Sequence, residues 1–422
     1  MRILSINSGS SSLKYALHDI GADGGEVEVE RGNLRRIGLD DSVFEWRVAS
    51  GQPARRASLP RKTPRMSTGA ARRIPRRKSL RLLPLPDHET AMEELVRHLR
   101  RRGLEQTIGG LGHRVVHGGS RYRAPKLVTP RLLDGLRELE RLAPDHLPDE
   151  IAALEYFGGR FPGTGQVACF DTAFHRHMPA AARALPLPRD LERDGVVRYG
   201  FHGLSCEYVM GRLGSEPAGA ARRVIIAHLG NGASMTAVKD GRGIDTSMGF
   251  TPTGGLMMST RTGDLDPGVI FFLLREKGLD RDELAALIND GSGLLGASGI
   301  SGDMQDLLAL EEKEPSAAAA VALFCHLARR QLGGLTFVLE GLDTLVFTGG
   351  IGQKSPVVRE RICASLEFLG LRLNARMNRQ NAGLVSAVES SIEVRVIETD
   401  EELMIARHTA QLLRQTRKES HD

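Results

Sequence analysis

"VIIAHLGNGASMTAVKDGRGIDTSMGFTPTGGLMMSTRTGDLDPG", from Val224 to Gly268, is the stretch on which the fold turns. Its apolar, β-branched start, Val224 to Ala227, reads as a buried strand that breaks at once into His228, Gly230, Asn231 and Gly232. A glycine turn directly after a strand lets backbone N–H groups come close to an anion. A second strand, Met235 to Val238, runs to the turn Lys239-Asp240-Gly241, so the unit is a hairpin whose tip could cradle phosphate. An ordinary tight hairpin would account for Gly-Asn-Gly alone. The sequel shifts the balance: Gly254 and Gly255, then Met257 and Met258, then Arg261 followed by Asp264 and Asp266. One arginine beside two carboxylates on a glycine-rich loop suits phosphate and metal chemistry better than it suits packing.

The N-terminal "RILSINSGSSSLKYALHDI" repeats this logic with an apolar strand, Ile3 to Ile6, a polar glycine turn, Asn7 to Ser12, and a returning strand, Leu13 to Leu17. Aligning Gly9 with Gly232 brings the two units into register. An internal duplication follows, and with it an α/β fold of two similar lobes with a cleft between them.

The 422 residues suffice for two or three cores, and the 41% apolar content is that of a globular chain. No apolar run approaches the roughly 20 residues a membrane span needs, and the N-terminus is too polar for a signal peptide. The expected compartment is the cytoplasm, with Cys169, Cys206, Cys325 and Cys363 scattered and reduced. The net charge of +5 is uneven. Arg47 to Pro86 carries twelve Lys and Arg and no acid; removing those twelve from 57 leaves 45 basic against 52 acidic residues, a net of −7. The body is therefore mildly acidic, and the basic stretch, rich in Pro, Ser and Gly, reads as a mobile surface insertion at about 47–86. Neither nucleic acid nor membrane is expected as a partner.

Further stretches supply chemistry. In "GGLGHRVVHGG" the spacing of His113 and His117 matches a helical metal pair, but flanking glycines and two valines favour a strand, which puts Arg114 and Val116 on one face. An arginine beside an alkyl group suits a small carboxylate with an apolar tail; a surface arginine over a packed core is the plainer alternative. His146 lies between prolines ahead of a helix. "QVACFDTAFH" is a buried strand ending in Asp171, and strand-terminal carboxylates in α/β sheets face the ligand crevice. His202, between glycines ahead of a helix, could meet anionic oxygens or simply serve a turn. "GSGLLG" follows a helix instead of a strand and is no dinucleotide fingerprint, and "TGGIGQK" has Gln353 where a Walker loop needs glycine. "PSAAAAVALFCHLARRQLGGLTFVLEGL" is predicted to be a long buried helix, and the chain closes on a strand, Asp400, Glu401, Glu402 and a terminal helix.

Taken together, "NSGSSSLK", "GHRVVHGG", "FDTAFH", "YGFHG", "HLGNGAS", "MGFTP" with "GLMMSTRTGDLDPG", "TGGIG" and "TDEEL" resemble the acetate/propionate kinase family of the sugar kinase, Hsp70 and actin superfamily, in the family's order and over nearly the whole chain. The resemblance implies two duplicated ribonuclease H-like lobes of the actin/Hsp70 type with the active site in the interlobe cleft. It implies an N-terminal lobe of 1–170 plus 398–422, a nucleotide-binding and dimerisation lobe of 171–397, and a homodimer. The implied activity is Mg-ATP-dependent phosphorylation of acetate to acetyl phosphate and its reverse, with propionate or another short-chain carboxylate as the alternative substrate. Position by position, Asn7 and Glu401 would help place Mg²⁺, with Mn²⁺ as an alternative ion. Ser10, Ser12 and Lys14 would lie in the first phosphate loop. Arg114 and Arg261 would bind the carboxylate and the transferring phosphoryl group, Asp171 would orient reacting groups, and His202, assisted by His146, would stabilise the transition state. His228, Asn231, Gly232, Gly350 and Gly352 would contact ATP or ADP phosphates, Asp303 would lie on the adenine side, and Val116 and Pro252 would wall the methyl pocket. Asp145 and Leu147 around His146, Gln353-Lys354 after the last glycine loop, Gln305 in "GDMQD" and "TPTGGL" depart from the family pattern. A carboxylate is already ionised at pH 7, so the implied chemistry needs no general base. An Hsp70-like chaperone would need a large peptide-binding region after the second lobe, and a nucleic-acid-associated protein would rest on the basic insertion alone.

Overall fold

The computed structural model describes residues 1–9, 11–49, 78–214 and 223–419, in two compact units. The first comprises Met1–Val115, Pro125–Cys169 and Ile405–Asp422; the second comprises Val116–Ala124 and Phe170–Met404. These limits depart from the expected lobes by one residue at the first junction and seven at the second, and they assign Val116–Ala124 to the second unit.

The first unit is built on eight strands: β1 (Arg2–Gly9), β2 (Ser12–Ile20), β3 (Glu26–Arg35), β4 (Val43–Val48), β5 (Lys78–Leu82), β6 (Gly110–Val115), β7 (Lys126–Leu127) and β8 (Gln166–Phe170), in the order β5-β4-β3-β2-β1-β6-β8-β7. The second unit has five: β9 (Arg223–Leu229), β10 (Ala233–Lys239), β11 (Arg242–Thr246), β12 (Thr344–Thr348) and β13 (Glu393–Val396), in the order β11-β10-β9-β12-β13. The duplication is visible in the pairing. β1-β2-β3 is an antiparallel meander with β6 parallel to β1, and β9-β10-β11 is an antiparallel meander with β12 parallel to β9. A parallel neighbour needs a long crossover, which is why β6 and β12 arrive far along the chain from the strands they flank.

Local chemistry explains the elements. Asp240 (φ 52) and Gly241 (φ 75) both lie in the left-handed region, as a two-residue hairpin turn between β10 and β11 requires. Gly110 and Gly112 clear β6 for the helix Glu401–Glu419. A β-carbon on Gly110 would lie 2.6 Å from Leu413 Cδ1, and one on Gly112 would meet Thr409 and Ile405. On the helix His88–Arg101, capped by Asp87 accepting from the Thr90 N–H, the apolar stripe Met92, Leu95, Val96 and Leu99 is buried on Leu4, Ile6 and Leu17. Each such side chain contributes about 1.5–3 kcal/mol. In the second unit Cys206, Val209, Met210 and Leu213 of the helix Gly203–Gly214 pack on Val224, Ile226 and Val346. All four cysteines are buried and none is in a disulfide, and burial pushes the Cys206 and Cys363 thiols up to about 12.

Two expectations need correction. The edges of the basic insertion are sheet: Arg47 pairs with Lys78 and Trp46 with Ser79 in the β4–β5 ribbon, and Arg81 forms an ion pair with Glu94. The remainder, 50–77, lies outside the described residues. The helix Pro315–Val338 buries only one face, Ala317, Val321, Phe324, Ala328, Leu332 and Leu335, while Leu323, Phe337 and Val338 are exposed. Alanine content alone does not say how many faces are covered.

Candidate active site

The tip Gly230-Asn231-Gly232 sits between β9 and β10, with the Gly230 N–H donating to the carbonyl of Gly232 at 3.0 Å. What the missing side chains leave room for is specific. A β-carbon on Gly232 would lie 3.2 Å from His202 Nε2 and 3.8 Å from Arg261 Nη1; one on Gly230 would lie 3.6 Å from the backbone N of Gly350 and 4.0 Å from His228 Nε2. Two imidazoles, a guanidinium and a backbone N–H thus open onto one glycine tip, a donor array suited to anionic oxygens. Asn231 is exposed, and its carbonyl accepts from Ser259 N–H at 3.1 Å, tying the tip to the loop that carries Arg261.

Each group is held from behind. His202 is one of the few non-glycine residues at positive φ (57°). Asp171, fully buried just past β8, holds it there: its carboxylate accepts the N–H of His202 at 3.0 Å and of Leu204 at 3.3 Å, and its carbonyl accepts the N–H of Gly203 at 2.8 Å. The imidazole Nδ1 lies 3.0 Å from Ser234 Oγ, and the ring stacks on His228 with centroids 4.2 Å apart. His228 Nδ1 meets Ser205 Oγ at 2.8 Å, and Ser205 in turn donates to Thr399 Oγ1 at 2.8 Å. Arg261 Nη1 donates to the carbonyl of Pro252 at 3.3 Å. The second glycine loop, directly after β12, is the short helix Gly349–Lys354. Gly349 (φ 75) cannot carry a side chain, because a β-carbon would lie 2.6 Å from the Leu229 carbonyl. Gly350 is exposed, whereas Gly352 is buried and its carbonyl accepts from Arg359 at 2.7 Å.

Val116 is buried beside His117, whose ring meets Tyr199 edge-on at 4.4 Å and Phe201 at 5.6 Å; Tyr199 packs in turn near Phe250 at 6.3 Å, two residues before Pro252. Burial lowers the His117 pKa to about 4 and leaves the ring neutral. Asp303 is an exposed helix cap whose carboxylate accepts the Gln305 N–H at 2.7 Å. Glu401 opens the helix Glu401–Glu419 and is half-buried.

In the first unit Asn7 is buried on β1 in register with Lys14, which is exposed on β2, and Ser12 Oγ lies 3.4 Å from the place of a β-carbon on Gly9. Ser10 lies outside the described residues. Arg114 on β6 is half-buried, with Nη1 3.7 Å from Glu150 Oε1 of the helix Leu147–Arg160. His146 is that helix's N-cap residue, and its carbonyl accepts the Glu150 N–H at 3.1 Å. Asp145 is exposed. Sequence inspection missed Glu150, Ser205, Ser234 and Thr399. Their signals were faint: Ser205, Ser234 and Thr399 fall within or beside a quoted motif and Glu150 lies four residues after His146, but nothing in the string says which side chain each will meet.

Residues 2–407 match the model of the acetokinase family. The chain is 41% identical over 418 residues, 97% of its length and 98% of the relative's, to a protein named acetate kinase from Rhodopseudomonas palustris strain TIE-1. Its structure is similar to that of a propionate kinase from Francisella tularensis (TM-score 0.85, 31% identity, 97% of this chain and 99% of that one) and of an acetate kinase from Porphyromonas gingivalis (TM-score 0.82, 34% identity, 98% and 99%). The fold is thus the duplicated α/β fold of the actin/Hsp70 type that the resemblance implied, and the chain belongs to the acetokinase family.

Proposed function

We propose that this protein transfers the γ-phosphoryl group of ATP to acetate, giving acetyl phosphate and ADP, and catalyses the reverse. The observation that carries this reading is the convergence of His202 Nε2, Arg261 Nη1 and the tip glycine Gly232, in a chain whose curated relatives are named acetate kinases. An acetate oxygen forms the new O–P bond as the bond from the γ-phosphorus to the β,γ-bridging oxygen breaks, and the electron pair leaves with ADP. The nucleophile enters ionised, so the protein's task is positioning and charge compensation. Arg261 and His202 offset charge on the planar phosphoryl group. His228, Asn231 and the N–H groups of Gly232 and Gly350 hold nucleotide phosphates, with Ser10, Ser12 and Lys14 in the same role. Arg114, oriented by Glu150, takes the carboxylate, and His146 assists. Asp171 is a positioning residue that acts through His202. Gly352 is buried and serves the packing of the loop. Asp303 supports the adenine side as the cap of its helix.

Magnesium, carried with the nucleotide, would neutralise phosphate charge; a hard cation takes oxygen ligands, and Asn7 and Glu401 offer an amide and a carboxylate oxygen for it. A homodimer is supported by the helix Pro267–Glu276, which buries none of its residues within the chain and exposes Phe271 and Phe272. Among the described residues no helix is long and apolar enough to cross a membrane, and we place the protein in the cytoplasm. The similarity to a propionate kinase supports propionate as a second substrate. Val116 and Pro252 leave room for a methyl or ethyl group, and a further methylene in a filled site costs about 1–3 kcal/mol. A hydroxamate assay with acetate, propionate and butyrate tests this: turnover of the first two with butyrate clearly poorer is expected, and equal use of butyrate overturns the pocket assignment.

A further inference from the structure

The second unit carries an open surface recess that shares no lining residue with the glycine tip, His202, His228 or Arg261. Four arginines, Arg123, Arg176, Arg183 and Arg198, line it together with the hydroxyl-bearing Ser120 and Thr172, and no Asp or Glu does. Among the described residues none of the four arginines is in an ion pair, whereas most other arginines on this surface-rich chain meet a carboxylate. Asp245, whose carboxyl pKa burial raises against partial offsets from the Thr246 N–H and the nearby charge of Arg198, does not line the recess.

Three of the four guanidinium groups bond to backbone carbonyls. Arg198 Nη1 donates to Thr246 and Ser247 at 3.2 and 3.3 Å, Arg176 Nη1 donates to Ala173 at 2.9 Å, and Arg123 donates to the carbonyl of Arg176. Tyr122, stacked on Phe170 at 5.3 Å, stiffens one wall. In each of these three guanidinium groups a single terminal nitrogen makes the bond. Their field extends to His177, where, after burial, Arg176, Arg242 and Arg123 further lower the imidazole pKa. Four like charges in a recess that no carboxylate lines repel one another, and an anion relieves that repulsion while taking the bidentate bonds that arginine forks offer.

We propose that this recess binds a small, multiply charged oxyanion. Four guanidinium groups around one recess ask for more than one charge on the anion. The same chemistry could come from a phosphate compound or a polycarboxylate, and the test separates them. The full-length protein, with its nucleotide site filled by saturating Mg-ADP, is titrated calorimetrically with orthophosphate, pyrophosphate and tricarballylate at about 0.15 M salt, where screening removes diffuse surface binding. Saturable binding is expected, tighter for pyrophosphate or tricarballylate than for orthophosphate; the better of the two names the source. Arg176→Gln with Arg183→Gln should weaken it by about tenfold or more, and the Lys pair should fall between, since a point charge replaces a bidentate fork. Circular dichroism and basal turnover should stay at the parent level, because neither arginine touches the glycine tip. Absence of saturable heat, or equal affinity in parent and Gln pair, overturns the proposal.

Discussion

Asp171→Asn isolates the device that sets His202. The change keeps shape and volume but removes the negative charge that accepts two N–H groups, from His202 at 3.0 Å and Leu204 at 3.3 Å. A hydrogen bond to a charged group contributes about 1.5–3 kcal/mol net, against about 1 for a neutral one. The amide retains one oxygen, so the loss is of order 2 kcal/mol. It falls on a residue whose left-handed backbone (φ 57°) already costs about 1–2 kcal/mol. Bond and strain are therefore of similar size, and weakening the bond lets the 200–203 loop relax toward ordinary φ values. At tenfold per 1.4 kcal/mol the competent loop becomes scarcer by about 10- to 100-fold. The assay is hydroxamate formation at saturating acetate and Mg-ATP. We expect kcat to fall by that factor with KM for acetate changed far less, because the carboxylate is assigned to Arg114. A kcat within about twofold of the parent, in a variant with unchanged circular dichroism, would refute this role for Asp171.

Other outcomes follow from the same structure. Arg261→Ala and Arg114→Ala should each lower turnover by about a hundredfold or more, measured by the same assay, since each removes a cation from the phosphoryl or carboxylate group. His113 and His117 are buried with folded pKa values of about 4 against 6.5 when unfolded. The unfolded chain alone takes up those protons, so this stability is complete above pH 6.5 and declines by about 1.4 kcal/mol per pH unit for each ring as pH falls toward 4; urea titrations at several pH values should show the slope, and His113→Gln should reduce it. Replacing 50–77 by a short turn between β4 and β5 should leave kcat unchanged, as no motif residue is removed; a hydroxamate assay on the purified deletion checks it. Phe272→Glu should shift the sedimentation coefficient from dimer to monomer if the helix Pro267–Glu276 is the interface.

Much of this arrangement could be read from the string because it is locally encoded. Apolar runs ending in glycine predicted β1, β9 and the tips beyond them, and Met92, Leu95, Val96 and Leu99 carry the i, i+3, i+4 spacing of their helix in the string itself. Partnerships across long sequence separations were not legible. Nothing near Arg114 announces Glu150, and nothing near Glu30 announces that Tyr15, His98 and Arg102 will surround its buried carboxylate at 2.8, 2.7 and 3.2 Å. The β4–β5 ribbon was hidden for a different reason: its second strand is short and carries two cations in five residues, and sheet-edge strands tolerate composition that a central strand would reject. Arg359 shows the same limit from the other side. It reads as an exposed helical cation, yet it is fully buried, spanning Gly352, Gln353 and Asn378 with hydrogen bonds that fix the second glycine loop.

The most direct test of the proposed reaction follows the γ-phosphorus itself. Phosphorus NMR of the full-length protein with Mg-ATP and acetate should show ATP signals replaced by ADP and an acyl phosphate resonance, with no change when acetate is omitted and little when Arg261→Ala is used. Release of inorganic phosphate without acyl phosphate, or ATP consumption at the same rate without acetate, would contradict phosphoryl transfer to a carboxylate at this site.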